Sequence, residues 1–555
     1  MKNKHYEYVI VGAGLSGLTA AAYLTKAGYS VLVLEKTPTY GGLLNSFSRE
    51  GYVFDAGARA IENSGIIRPM LKDLGIEMEL LSSPVSIGVE SQVISIVSKE
   101  SIDLYRQALQ TLYPDNVDDV RKIFRKIEKV YKEMHVIYGF ENPVFKNFRQ
   151  DKRYLFKELL PWLGRFLLAV SRMERMNEPV ETYLKKVSTN QSLIDIIDQH
   201  FFKRTPTFFA LGYFYVYLDY LYPKGGTGKL PEKLVQKMLE NGGELQVNTE
   251  VKTISLAKKL VQDGNGQSYS YDKLLWCADL KSLYRNLDTS GLGADVVGSI
   301  TTESEKILAS RGGDSVFSLF IGVDQPPQAF ASITNGHVFY TPSRKGLGET
   351  HLSELKNLLA KGKDACKKEE IRAWVTTYCA LTTYEISIPS LRDASLSPEG
   401  KTGLVVSFLL EYDLVRLVND AGWYDEFKLW VEDGMIKTLN QSLFPGLFDT
   451  IELRFSASPL SIEKKFGNSE GGITGWTFEL PSPVVNMLQK IPDSVKTPLP
   501  DVLQCGQWAY SPAGIPTAIL TGWYAADSIC TSRESDRKKA KKIRLRNEYK
   551  RTYPV

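Results

Sequence analysis

The stretch from Tyr6 to Glu35 constrains the fold more than any other part of this 555-residue chain. Tyr6 to Val11 (YEYVIV) is short, apolar and β-branched, as a strand buried on both faces of a parallel sheet must be. Gly12-Ala13-Gly14-Leu15-Ser16-Gly17 follows at once, a complete GxGxxG. Leu18 to Ala27 then reads as a helix of small residues ended by Gly28, and Ser30 to Leu34 as a second strand carrying Glu35 at its end. Gly12 permits the tight turn, Gly14 lets main chain approach a pyrophosphate, and Gly17 lets the helix lie close on the sheet. The helix N-terminus offers free N–H groups and partial positive charge to a diphosphate. Glu35, 18 residues beyond Gly17, is placed to accept from both ribose hydroxyls of an adenosine and to repel a 2′-phosphate. A plain βαβ unit with a glycine-rich turn is the alternative. The ordered strand, turn, helix, strand and terminal acid favour the dinucleotide.

The residues that follow separate flavin from nicotinamide. Glu35-Lys36 leads to Tyr40-Gly41-Gly42-Leu43 and then to Gly51-Tyr52-Val53-Phe54-Asp55-Ala56-Gly57-Ala58. This succession resembles the FAD-dependent amine oxidase and phytoene desaturase superfamily. There the Gly-Gly pair, here Gly41 and Gly42, lies along the pyrophosphate and ribityl chain, and the FD-x-G segment, here ending at Gly57 and Ala58, leads to the flavin ring. The resemblance continues at Asn248-Thr249-Glu250-Val251, where the Val251 backbone is expected against adenine, and at Asp272 to Ala278, a returning strand. Residues 502 to 529 match the family's C-terminal segment at Gly506, Gly514, Pro516, Ala518, Gly522 and Ala525. The helix expected over Thr517 to Ile529 would turn its N-terminal N–H groups, with Gly514, Ile515 and Pro516 before it, toward the flavin's pyrimidine edge. No second GxGxxG follows a strand, so a separate NAD(P)H domain is not expected.

Within the superfamily the chain looks like the branch of phytoene desaturases, carotenoid isomerases and retinol saturases. Tyr222 to Pro231 (YPKGGTGKLP), Ser387 to Gly400 (SIPSLRDASLSPEG) and Ser458 to Gly475 carry that likeness. Ser511-Pro512-Ala513-Gly514-Ile515-Pro516 departs from the branch's P-G-x-G-x-P and leaves the reaction open. The resemblance implies redox chemistry on a hydrophobic isoprenoid polyene by desaturation, saturation or isomerisation, with an external electron acceptor or donor. Arg59 and Tyr510 are the expected catalytic neighbours of the ring, with Asp219 and Tyr220 ranked below them. Rival readings are a protoporphyrinogen-oxidase-like or amine-oxidase-like flavin oxidase and a low-turnover membrane-associated flavoprotein scaffold.

Phe208 to Tyr222 holds eight aromatics in fifteen residues, the composition of a tunnel wall or of an ordinary core helix. Tyr154 to Glu174 is amphipathic with a break expected at Pro161, a core helix or a face that dips into lipid. Arg537 to Arg551 contains nine Lys/Arg and one Glu, a solvated charge run or a contact for anionic lipid. Its bases lack an interleaved aromatic platform, which argues against nucleic acid. The five cysteines form no CxxC pair and the five histidines no HxH or HExxH, so a reducing compartment and no metal are expected. Cys505, before the glycine turn, reads as a buried core thiol. No run of 18 uncharged apolar residues occurs, so no bilayer-spanning helix is expected; with the reducing compartment and the lipid-facing readings above, the expectation is a cytoplasmic, peripherally membrane-associated protein.

The expected fold class is α/β, a Rossmann-type FAD-binding domain interleaved with an α+β substrate domain. The first would use residues 1–85, 225–300 and 495–532, the second 86–224 and 301–494, with 533–555 as a basic tail. Ser315 to Val323, Ala373 to Leu381 and Thr402 to Leu410 read as strands of the substrate-side sheet.

Overall fold

A computed structural model of the protein describes residues 4–146 and 152–552, with the backbone alone over 534–552. The basic run Arg537 to Arg551 falls in that last stretch, so its side chains lie outside the described residues.

The chain forms two compact units, one from residues 1–42, 231–308 and 484–555 and the other from 43–230 and 309–483. Residues 43–85, assigned to the nucleotide domain from sequence, belong to the second unit. There Tyr52 and Phe54 pack with Phe320, Val405 and Leu453 of the large sheet, so their apolar burial ties the segment to that core.

In the first unit Lys4–Val11 runs parallel between Val31–Leu34 and Ser268–Trp276. Glu244–Gln246 extends the parallel sheet on one side and Val502–Gln504 on the other. The first half of Ser268–Trp276 turns instead to an antiparallel extension, Leu260–Asp263 and Val251–Ser255. The helices Leu15–Lys26 and Ile515–Thr552 pack so closely that a Cβ on Gly522 would run into the Ser16 carbonyl. The C-terminal helix thus starts two residues before the expected Thr517 and continues well past Ile529.

The second unit is built on a seven-stranded sheet ordered Ile451–Ala457, Val316–Val323, Thr402–Leu409, Tyr384–Ser387, His337–Thr341, Val85–Val89 and Gln92–Ile96. Alternation sends Phe317, Leu319, Ile321, Leu404, Val406, Ile386 and Val338 to one face, where they form a core with four helices. Ser353–Ala365, Tyr412–Asp420 and Tyr424–Gln441 are three of these; the fourth, Lys368–Leu381, replaces the strand expected over Ala373 to Leu381. Its buried residues are Ile371, Trp374, Val375, Tyr378 and Cys379, the helical three-and-four spacing that a window opening at Ala373 cuts short. A helical layer precedes these elements and includes Val117–Tyr138 and Thr207–Val216. Pro161 does not break the Tyr154 to Glu174 segment. The turn Leu155–Leu159 widens to a π-helical one, with Leu160 N–H bonded to Leu155 O directly before Pro161, and the chain continues helical into Leu160–Glu174.

Candidate functional site

In the first unit the parallel strands end together. Gly12 N–H donates to Leu34 O (2.8 Å), Cys277 N–H to Val11 O (2.8 Å) and Cys505 N–H to Trp276 O (3.0 Å), which levels the carboxyl ends and leaves a crevice beyond them. Gly12 makes the turn at φ 104°, and a Cβ there would meet the Cys277 carbonyl oxygen at 2.7 Å. A Cβ on Gly17 would strike the Gly12 carbonyl, so this glycine serves helix packing. Gly14 is different. Nothing lies within 4 Å of where its Cβ would be, so its surface is open. It begins the helix Leu15–Lys26 without a side-chain cap, and the first helical bond is Leu18 N–H to Gly14 O, leaving the first-turn N–H groups without helical partners. Gly41 N–H donates to Ala13 O (2.8 Å) and bridges to Gly14, which lays the Gly41-Gly42 pair beside the opening.

Glu35 is nearly buried here, with Lys36 next to it. Its carboxylate accepts from Ala13 N–H (2.8 Å), Thr37 N–H (2.9 Å) and Thr37 Oγ1 (2.8 Å). It therefore braces the glycine turn as well as bordering the crevice, and three of its roughly four acceptor sites are filled by protein. Thr249 N–H donates to Glu35 O (2.8 Å), which brings the Asn248-Thr249 segment and the following Val251 alongside. Gly506 N–H donates to Thr521 Oγ1 (2.9 Å), and a Cβ on it would press on Ser16 Oγ. Gly506 and Gly522 thus hold the C-terminal helix against the first one. Gly514 precedes Ile515 and Pro516 at that helix start and accepts the Ala518 N–H at 2.9 Å. Tyr510 is buried in the loop before it, bridged to Val485. Cys505 is the buried thiol expected, with Cys277 Sγ 2.8 Å away. An open rim of main-chain N–H groups over a bare glycine, beside a fixed carboxylate, fits the ADP half of a dinucleotide.

In the second unit the chemistry lies on the sheet face turned away from the four helices. Register places Ser318 opposite Ser407, Ser407 opposite Glu385, Glu385 opposite Phe339, and His337 opposite Ser387. Arg59, 4% exposed, lies on this face. Its Nη1 is 3.0 Å from Glu385 Oε2, and its Nη2 donates to Ser407 Oγ and Ser318 Oγ. Burial works to raise the Glu385 carboxyl, yet Arg59 and His337 outweigh it and hold it at about 2. Burial keeps His337 below its ordinary range, so the neutral ring donates from Nε2 to Glu385 Oε1 at 3.0 Å. Its Nδ1 is buried without a hydrogen-bond partner among the described residues. Tyr213, Tyr217, Phe339 and His337 make a run of ring contacts, with Tyr220 against both Tyr217 and His337. Burial pushes Glu62, paired in register with Tyr220, up to about 7. Asp219, raised by burial, accepts from Ser64 N–H at 2.6 Å.

Three segments found separately in the sequence meet beside this face. Asp55 accepts from Thr227 N–H (2.9 Å), Thr227 Oγ1 (2.9 Å), Ser46 Oγ (2.7 Å) and Tyr222 OH (2.7 Å). Asp393 accepts from Gly225 N–H (2.8 Å), and the Arg392 guanidinium stacks 3.9 Å from the Tyr222 ring centroid while donating to Arg59 O (2.8 Å). Leu43 lies against Gly57 and Ala58 at the open end of the Ser46–Arg49/Tyr52–Asp55 hairpin, Ala58 N–H donating to Leu43 O at 3.1 Å. The structure thus adds Asp55, His337, Glu385 and Arg392 to the residues expected from sequence. Glu385 and His337 stand in ordinary strand patterns that offered no signal; Asp55 and Arg392 lay inside recognised segments but were given no role.

Residues 15–357 match the model of a family described as flavin containing amine oxidoreductase. Prolycopene isomerase of Daucus carota is 22% identical over 502 residues, spanning 85% of this chain and 72% of its own. The 4,4'-diapophytoene desaturase (4,4'-diaponeurosporene-forming) of Staphylococcus aureus is 20% identical over 544 residues, spanning 94% and 98%. A putrescine oxidase structure bound to putrescine superposes with a TM-score of 0.60 at 13% identity, over 96% of this chain and 100% of that one.

Proposed function

Because this chain belongs to the flavin-containing amine oxidoreductase family, with FAD as its cofactor, we propose that it carries out redox chemistry on a hydrophobic isoprenoid polyene. Desaturation, saturation and isomerisation of C=C bonds are the reactions in range. The observation that carries this reading is likeness along most of the chain to two enzymes named for such substrates, the carrot isomerase and the staphylococcal desaturase. The aromatic run from Tyr213 to Phe339 supports it, since a polyene needs an extended apolar wall.

FAD supplies two-electron redox chemistry when bound. The main-chain N–H groups around Gly14 would hold its diphosphate and Glu35 would border its ribose. Val251, Gly506, Gly514, Ile515 and Pro516 are the proposed remaining contacts of the first unit. Arg59 acts as a positioning residue that fixes Glu385, and Tyr510 shapes the loop before the C-terminal helix. Glu62, with a carboxyl that exchanges its proton near neutrality, is the group on the aromatic side suited to hold or release one. An external acceptor or donor completes the electron balance.

Anaerobic incubation with candidate carotenoids and retinoids tests this, with flavin absorbance and product chromatography followed together. Bleaching by a more saturated polyene identifies a desaturase; conversion only after prior reduction identifies a saturase or isomerase. Inertness toward every polyene, with flavin bleaching by an amine or a porphyrinogen and peroxide formed once air is admitted, overturns the reading in favour of an oxidase.

A further inference from the structure

We infer that the outer face of the segment 152–174 is an insertion surface for an anionic lipid bilayer. Of the fifteen large apolar side chains most exposed among the described residues, five fall within thirteen positions: Phe156 (64%), Leu160 (47%), Leu163 (39%), Leu167 (50%) and Leu168 (59%). Positions 156, 160, 163 and 167 step by four, three and four, so the four side chains line one stripe. The opposite side is fixed to the protein. Trp162 Nε1 donates to Val136 O at 2.8 Å, its ring stacks on Phe140, and Ala169, Val170 and Met173 are buried. The stripe is therefore held rigidly outward rather than left open by a loose helix.

Charge identifies the occupant. Lys152, Arg153 and Lys157 are exposed at the start of the segment against Glu158 as its one exposed acid, and among the described residues none of the three basic groups has an acidic partner. A leucine-rich stripe with a basic margin is the pattern of a helix lying in the interface plane of a bilayer. A symmetric dimer through the same face would bring two basic margins together, which disfavours a second copy as the partner. Among the described residues no helix is long and apolar enough to cross a membrane, so this surface lies on the bilayer rather than through it.

Full-length FAD-loaded protein is sedimented with vesicles of phosphatidylcholine, with or without phosphatidylglycerol. Binding is expected on the anionic vesicles and should weaken at high salt. Leu163→Ser/Leu167→Ser should lower the partition coefficient about tenfold or more while retaining flavin absorbance, a sign of intact folding. Lys152→Glu/Arg153→Glu/Lys157→Glu should lower binding only on the anionic vesicles. Wild-type binding by the leucine variant would overturn the proposal and assign any attachment to the basic run at Arg537 to Arg551. A wild-type dimer in sedimentation equilibrium that this variant dissociates would overturn it in favour of self-association. The assay needs no polyene, so its failure is separate from that of the proposed reaction.

Discussion

The crevice around Gly14 and the sheet face around Arg59 both handle charge away from bulk water, and they do so by opposite means. At Gly14 the protein provides almost no side chain. Main-chain N–H groups face an opening that nothing within 4 Å of the absent Cβ obstructs, and the single carboxylate is tied by three donors from its own surroundings. At Arg59 the charge is carried by side chains that neutralise one another, with Glu385 and His337 in line and two serines on the guanidinium. The first arrangement is pre-formed for a ligand's charge; the second is complete without one. A substitution in the crevice should therefore cost binding more than folding, and a substitution on the sheet face the reverse.

The largest effect expected is at the crevice. The Cβ of Gly14→Val meets no protein atom within 4 Å, so the apoprotein should fold, but the side chain fills the space the diphosphate needs, and FAD affinity should fall by about a hundredfold or more. Purified Gly14→Val should lack visible flavin absorbance and melt with wild-type apoprotein rather than with the holoprotein. Normal occupancy would remove the basis for placing the cofactor here. Gly17→Ala makes the contrast inside one motif: its Cβ runs into the Gly12 carbonyl, so thermal stability should fall even in apoprotein.

On the sheet face the two partners of one ion pair should differ. Glu385→Gln leaves Arg59, 4% exposed, as a buried charge with no carboxylate, and is expected to cost about 3 kcal/mol or more. Arg59→Met leaves Glu385 with its hydrogen bond from His337 Nε2 at 3.0 Å, and should cost less. The double variant should recover part of the loss, as urea titration of all three proteins would show. Equal, additive losses would mean that the pair is not coupled.

These two regions were also unequally legible. The crevice is made by neighbours in sequence, so GxGxxG followed by a strand and an acid was enough to place Gly12, Gly14, Gly17 and Glu35. The three segments joined at Asp55 and Asp393 were visible as motifs, but Asp55 meets Tyr222 across 167 positions, a pairing that no local pattern contains. Arg59 directly follows the FD-x-G segment that ends at Gly57 and Ala58, whereas Glu385, 326 positions away, is brought to it by strand register. Lys368–Leu381 was misread for a different reason. Its threonines and tyrosine suit a strand locally, and only the full spacing from Ile371 to Cys379 reveals the helix.

The smallest expected effect gives the sharpest test of how charge is managed in the second unit, because two carboxyls there should respond to pH with opposite sign. Glu385 is held at about 2 against an ordinary 4.5, so its contribution is present above 4.5 and lost as pH falls toward 2. Glu62 is pushed up to about 7 from the same 4.5, so between those values the folded chain keeps a proton that the unfolded chain has released. Stability due to Glu62 therefore declines as pH rises from 4.5 and levels off above about 7. Glu62→Gln abolishes that decline, and its melting temperature relative to wild type should climb across the window by a few degrees and then stay constant. Taking the difference between the two proteins at each pH cancels every other titrating group. A difference that does not vary with pH would mean that Glu62 is solvated like a surface carboxylate, and that the aromatic side of the sheet face is wetter than its packing shows.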